Sequence, residues 1–134
     1  MKFLSHSGKE DGTAVYESTY TARSATMPGV TFTVLKLSFA RRIELARRVL
    51  DLSRRLEFAA AGNGVEDSIE ANLLASEIDR IYLEWGLAAV EGLLVDGAPA
   101  TAEALAEKGP EPLAREIVAA VKAQCGLSEE ERKN

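Results

Sequence analysis

Residues 38–89, SFARRIELARRVLDLSRRLEFAAAGNGVEDSIEANLLASEIDRIYLEWGLAA, decide the fold. Ser38 is placed to cap a first helix, whose apolar face repeats with a 3.6-residue period at Leu45, Val49, Leu52 and Leu56. A second helix is predicted from about Val65 to Ala89, after a Gly62-Asn63-Gly64 connector. Two long amphipathic helices joined by so short a loop should pack as an antiparallel hairpin over residues 38–90.

Upstream of Ser38 the apolar pattern has a period of two, which is typical of strands. The runs AVYESTYT (14–21) and VTFTVLKL (30–37) alternate, and the second places Val30, Phe32 and Val34 on one face. Pro28-Gly29 supplies turn residues between them. These features predict a β-hairpin over residues 14–37. Residues 1–13 are polar, and we expect them to be flexible.

Downstream of the helical hairpin, residues 91–127 are predicted to form a turn and two short helices. Asp96-Gly97 is a turn signal, Thr101 can cap the first short helix, and Pro110 and Pro112 fall in the first turn of the last. Residues 128–134 form a charged tail. The predicted fold is therefore a single α+β domain over residues 1–134, mainly helical: an N-terminal β-hairpin, a long antiparallel helical hairpin and two shorter C-terminal helices.

Composition narrows the class of protein. A chain of 134 residues can bury a core as one domain without disulfides. The single cysteine, Cys125, fits a reducing compartment. The first residues, MKFLSHSGKEDG, lack the apolar stretch of a signal peptide, and we expect a cytoplasmic protein. The net charge of −5 argues against binding nucleic acid through bulk electrostatics.

Residues that could perform chemistry are few. His6 is the only histidine and lies in the polar N-terminal segment, whereas catalytic and metal sites combine histidine with further ligands or an orienting carboxylate. Glu77, Asp79 and Glu84 are best interpreted as a solvated helix face. The chain contains no phosphate-binding glycine loop and no nucleophile motif. We therefore expect no enzymatic activity, no catalytic residue, no metal site and no cofactor.

Arginine doublets are the most conspicuous polar feature. They lie at positions 41–42, 47–48 and 54–55, and Arg41, Arg48 and Arg55 share one helix face. That face could follow a phosphate backbone, but Glu44 and Asp51 stand four residues before Arg48 and Arg55, in the favourable orientation for ion pairs. Residues 38–58 carry six arginines against three acids (+3), whereas residues 65–91 carry seven acids against one arginine (−6). Opposite charges favour pairing of the two helices, or of two protomers.

Seven residues are predicted to bind a partner. Trp85, the only tryptophan, lies on the apolar face of the second helix and suits either core packing or an interface. The exposed edge of a β-hairpin can pair with another copy. The predicted partner-binding residues are Val30, Phe32, Val34, Arg41, Arg48, Arg55 and Trp85, and self-association is expected through the first three or through the Leu45–Leu56 face.

The segment Tyr82–Asn134 resembles the tail assembly chaperones of long-tailed bacteriophages and prophages. The resemblance rests on a Trp85-Gly86 pair at a helix end, a Val95-Asp96-Gly97 turn, a Pro99-Ala100-Thr101 helix entry and a charged tail. The run SFARR from Ser38 is similar to an upstream element of these proteins. The resemblance implies a cytoplasmic chaperone in the host bacterial cell. Its partners would be the tape-measure protein, which it keeps soluble, and tail-tube subunits.

Two other functions remain open from the sequence. A phage regulator could bind nucleic acid through the arginine-rich helix, and a structural head–tail component would also need no chemistry. For all three classes we expect no membrane partner, and for the chaperone a homo-oligomer.

Overall fold

The chain begins with short strands, continues with two long helices and ends, after three further short strands, with two short helices. The computed structural model describes residues 9–10 and 12–126. Its helices are α1 (Phe39–Ala60), α2 (Val65–Gly86), α3 (Ala102–Lys108) and α4 (Glu111–Gln124). Its strands are β1 (Lys9–Glu10), β2 (Thr13–Ala14), β3 (Thr19–Arg23), β4 (Thr31–Leu35), β5 (Leu87–Glu91), β6 (Leu94–Val95) and β7 (Ala98–Pro99). The predicted α+β class, with strands followed by two long and two short helices, is confirmed.

The central sheet has three antiparallel strands in the order β3-β4-β5. In β4, Phe32 lies opposite Ala22 of β3 and Val90 of β5, so these side chains share one face. Helix α4 packs against β4, and Phe32 and Val34 are buried in the core. A lone hairpin would be marginal. Pairing with β5 and packing against α4 together stabilise the β3–β4 hairpin.

Strand β5 corrects the predicted end of the second helix. The helix ends at Gly86 rather than Ala89, and Leu87–Glu91 continues as a strand paired with β4. Ala88, three residues after Trp85, would continue the apolar face of the helix, but it is exposed in this strand. In the sequence, the helical apolar period continues past Gly86. The conformation of Leu87–Glu91 is instead determined by pairing with β4, which lies more than 50 residues earlier in the chain.

The helical hairpin forms as expected. The Ser38 hydroxyl accepts a hydrogen bond from the Arg41 backbone N–H at 3.2 Å and so caps α1. Helix α1 packs mainly against α2, through buried and half-buried residues of the Leu45–Leu56 face. The two helices are joined by residues 61–64.

The C-terminal helices complete the core. Leu113, Ile117 and Val121 of α4 are fully buried, and Thr101 caps α3 by accepting from the Ala104 backbone N–H at 3.0 Å. The predicted turn at Asp96-Gly97 joins β6 to β7 with φ angles of 53° and 86°, the left-handed pair of a tight hairpin.

Some sequence-based expectations fall outside the described residues. Residues 1–8 and 11, within the segment expected to be flexible, are not described, while Lys9–Glu10 pairs with Thr13–Ala14 as a short antiparallel ladder. The predicted charged tail 128–134 also lies outside them. Among the helices described, none is long and apolar enough to cross a membrane.

Candidate protein-binding surface

The predicted partner-binding residues of the β-hairpin are buried. Val30, Phe32 and Val34 all belong to the core, and Val34 has no exposed surface. The Leu45–Leu56 face of α1 is turned toward α2. These side chains stabilise the folded chain, so the expectation that they form a free surface for a partner is wrong. The alternating pattern of Val30–Val34 was correctly interpreted as a strand, but its apolar face lies under α4.

Trp85 and Arg41 form an internal contact. The Trp85 side chain is only 4% exposed, and the Arg41 guanidinium lies 4.1 Å from the centre of its ring. Arg41 also donates a hydrogen bond to the Trp85 backbone carbonyl. This cation–π and hydrogen-bonded pair fastens the start of α1 to the end of α2. Of the two interpretations of Trp85, core packing is therefore the one that the structure supports.

Arg48 and Arg55 are neutralised within the chain. Arg48 pairs with Glu44 at 3.1 Å, and Arg55 lies 3.8 Å from Asp51 and 3.5 Å from Glu70 of α2. The ion pairs expected from the four-residue spacings are thus present. Because Arg41, Arg48 and Arg55 all have partners inside the chain, their shared face is not a free row of positive charge.

The other arginine of each doublet is free of such pairing and borders an exposed apolar row. Phe39, Ile43 and Leu50, called here the α1 stripe, lie along one side of α1 at helical spacing, and Phe39 is 90% exposed. Helical geometry puts Arg42 on one flank of this stripe and Arg47 and Arg54 on the other. Among the described residues none of these three arginines has an ion pair, and all are exposed.

Helix α2 carries a second exposed apolar row near the hairpin loop. Val65, Ile69 and Leu73, called here the α2 stripe, recur every four residues and are each more than half exposed. Acidic side chains line one flank of this stripe, at Glu66, Glu70 and Glu77. Within the part of the chain that the structure describes, Glu66 and Glu77 have no ion pair. The two stripes therefore carry flanks of opposite charge.

Both stripes were missed at the sequence level, although their spacing is visible there. The Leu45–Leu56 row is the predicted apolar face of α1, and Phe39, Ile43 and Leu50 form a second row about a third of a turn away. In a helical hairpin, the neighbouring helix covers one apolar row of a helix. A second apolar row on the same helix therefore stays exposed. Counting the rows would have identified the exposed apolar surface.

Comparison with known proteins yields no relative. No protein-family model matches the chain, and neither a curated protein nor a solved structure matches it. The candidate surface is accordingly defined by the chain's own exposed side chains and their charges.

A groove of about 650 Å³ is lined by one side of α2 and by the two C-terminal helices. Apolar side chains, among them Leu83, Leu105 and Val118, line it together with charged residues that pair with each other. Lys122 lies 2.7 Å from Asp79, and Arg80 bridges Glu84 and Glu107. Hydrogen bonds from Arg80 to these two carboxylates raise the pKa of its guanidinium. Of the three acidic residues Glu77, Asp79 and Glu84, the last two are thus engaged in ion pairs.

Cys125 follows α4 and is partly buried. Burial raises the pKa of the Cys125 thiol, while the nearby positive charges of Arg42 and Arg41 act in the opposite direction and only partly offset it. A thiol with a raised pKa is a weak nucleophile. In residues 9–10 and 12–126, no three His, Cys, Asp or Glu residues cluster closely enough to hold a metal ion. His6 lies outside these residues.

Glu116 of α4 fastens the β3–β4 loop to the helix layer. Its carboxylate accepts hydrogen bonds from the Ser24 hydroxyl at 2.7 Å, the Ala25 backbone N–H at 2.6 Å and the Thr26 hydroxyl at 2.8 Å. Burial alone would raise the pKa of Glu116, but these hydrogen bonds favour the charged form and hold the pKa below its usual value. The charged carboxylate therefore stabilises the fold.

Replacing Glu116 with glutamine should lower the free energy of unfolding by about 1.5–3 kcal/mol at pH 7, the usual contribution of hydrogen bonds to a charged group. Because the pKa of Glu116 is depressed in the folded state, its contribution is complete above the unfolded value of about 4.3 and is lost as the pH falls through the folded value. Urea denaturation at pH 7 and pH 3 should show the gap from wild type narrowing in acid. Glu103→Gln, an exposed change on α3, should leave stability unchanged, and a gap that is equal at both pH values would contradict this role.

Proposed function

We propose that the chain is a non-enzymatic tail assembly chaperone of a long-tailed phage or prophage, which binds the tape-measure protein and helps recruit tail-tube subunits. The observation that carries the proposal is the exposed α1 stripe on a helical hairpin whose internal face is already filled. The resemblance from Tyr82 onward points to the same class of protein.

The protein that the chaperone would bind, called here the client, explains why an apolar row would be left uncovered. A tape-measure protein is a long helical chain with apolar stripes that aggregate when exposed. A stripe containing Phe39, Ile43 and Leu50 offers a complementary row for one face of such a helix, in the helix-against-helix mode of peptide recognition. Burial of apolar area at about 25 cal/mol per Å² would drive the contact, without any chemical step.

The flanking charges favour one kind of client helix. Arg42, Arg47 and Arg54 are exposed and free of ion pairs among the described residues, so they can meet carboxylates on either side of an apolar row. Opposite charges would align the two helices and speed their association. The best client segment is therefore an amphipathic helix with acidic residues beside its apolar face.

A nucleic-acid-binding regulator is the second candidate, because the same three arginines could contact phosphates. Two observations favour the chaperone. The arginines are divided by an apolar row rather than grouped, and the face that the sequence suggested for DNA contains Arg41, Arg48 and Arg55, which are paired within the chain. A structural head–tail component is a third possibility, for which no surface gives specific support.

Co-purification tests the proposal directly. The affinity-tagged chain would be produced in bacteria together with the tape-measure protein of the same phage or prophage. We expect the tape measure to be retained on the affinity column and to elute with the chain in size-exclusion chromatography. A tape measure that remains in the insoluble fraction, with no complex recovered, would contradict the proposal, whereas tight DNA binding that is weakened by salt would support the regulator.

A further inference from the structure

The two exposed stripes of the hairpin are complementary to each other. The α1 stripe is apolar and flanked by free arginines, and the α2 stripe is apolar and flanked by glutamates. At 1.5 Å per residue the first spans about 16 Å and the second about 12 Å, so their lengths are similar. The two stripes can therefore bury apolar side chains against each other while their oppositely charged flanks form ion pairs.

The stripes of one chain cannot meet. Helix α1 turns its Leu45–Leu56 face to α2, and α2 turns Ala71, Leu74 and Ile78 to α1, so each stripe lies on an outer side of the hairpin. They also lie at opposite ends, because Phe39 begins α1 at the sheet and Val65 begins α2 at the loop. A contact between them requires two copies of the chain.

We infer that the α2 stripe of one copy docks on the α1 stripe of a second copy. The contact joins two different patches, so it is heterologous and can be repeated from copy to copy. Apolar side chains would meet in the centre, with Glu66 and Glu77 of one copy beside Arg47 and Arg54 of the next. Like-charged contacts, α1 with α1 or α2 with α2, are disfavoured by the same flanks.

This inference rests on the proposed function in one respect, since it assigns the α1 stripe both to the client and to a second copy. Self-association and client binding would then compete for the same face. A chaperone that covers its own apolar row until a client displaces the neighbouring copy avoids aggregating itself. The contact can be measured without any client, so its failure is distinct from failure of the proposed function.

Analytical ultracentrifugation of the purified chain tests the contact. We expect wild type to self-associate with rising concentration, and to do so less at high salt. Two variants reverse one flank each: R47E/R54E on α1 and E66R/E77R on α2. Each should raise the dissociation constant about tenfold or more, because like charges then face each other. Mixing the two variants should restore association. The α1 flank of one variant is then negative and the α2 flank of the other is positive, so opposite charges face each other again.

A control variant and three possible results decide whether the two stripes form the contact. Arg23→Glu reverses an exposed charge on β3 and should associate like wild type. If E66R/E77R alone associates like wild type, the α2 stripe is not part of the contact. A wild-type chain that stays monomeric at several hundred micromolar, or two variants that stay apart when mixed, would overturn the inference and leave the α1 stripe to the client alone.

Discussion

Replacing Gly86 with alanine should lower the free energy of unfolding by about 1–3 kcal/mol, the range seen when extra carbon atoms are forced into a filled core. A Cβ at this position would overlap Val121 Cγ1 and lie 2.7 Å from Val121 Cγ2. Val121 is fully buried in α4, so its side chain has no room to retreat. The better helix propensity of alanine, worth about 1 kcal/mol, offsets only part of this cost. Urea denaturation of the two proteins measures the difference.

A double variant separates the clash from other effects of the substitution. Val121→Ala alone should be destabilising because it leaves a cavity. In the Gly86→Ala/Val121→Ala protein, the new methyl occupies space that the valine has left. We therefore expect the double variant to be more stable than the sum of the single changes predicts. Strict additivity would mean that α2 and α4 do not approach as closely as described.

Replacing Phe39 and Ile43 with serine should abolish most binding of the tape-measure protein. Each side chain is exposed in the free chain and would be buried by a client helix, a transfer worth about 1.5–3 kcal/mol when complete. The double change should therefore weaken binding about a hundredfold or more. The measurement is the dissociation constant for a purified tape-measure segment. The free energy of unfolding should change by less than about 0.5 kcal/mol, since both positions face solvent.

Phe58 supplies the matched control for this experiment. It lies on the same helix and is 85% exposed, but helical geometry places it well to one side of the α1 stripe. Phe58→Ser removes as much exposed aromatic surface as Phe39→Ser. We expect the Phe58 variant to bind the client like wild type. Equal losses at Phe39 and Phe58 would indicate nonspecific apolar adhesion rather than a defined face.

Local patterns were sufficient to predict most elements of the fold. The switch from a period of two to 3.6 at Ser38 predicted the strand at β4 and the start of α1, and both helix caps, Ser38 and Thr101, bond as expected. Strand β5 was missed because its alanines suit a helix, and its strand conformation depends on pairing with β4, far away in sequence.

The surface residues were harder to predict, because burial depends on distant contacts. Helix α4 covers Val30, Phe32 and Val34. The sequence of the strand does not indicate that a helix will pack on this face. The arginine doublets show the same limit at a finer scale. Arg41 and Arg42 are adjacent, yet only Arg41 can stack on Trp85, since α2 fixes which side of α1 is covered. The arginines that the sequence singles out, Arg41, Arg48 and Arg55, are the ones that find partners within the chain.

Solubility of the tape-measure protein in cells tests the central claim, that the α1 stripe is the client-binding face, most directly. The tape measure would be produced in one strain with wild type, with the Phe39→Ser/Ile43→Ser variant or with the Phe58→Ser variant, and its soluble fraction compared. We predict a soluble tape measure with wild type and with the Phe58 variant, and an insoluble one with the double variant. A tape measure that is equally soluble with all three, or equally insoluble with all three, would contradict the claim.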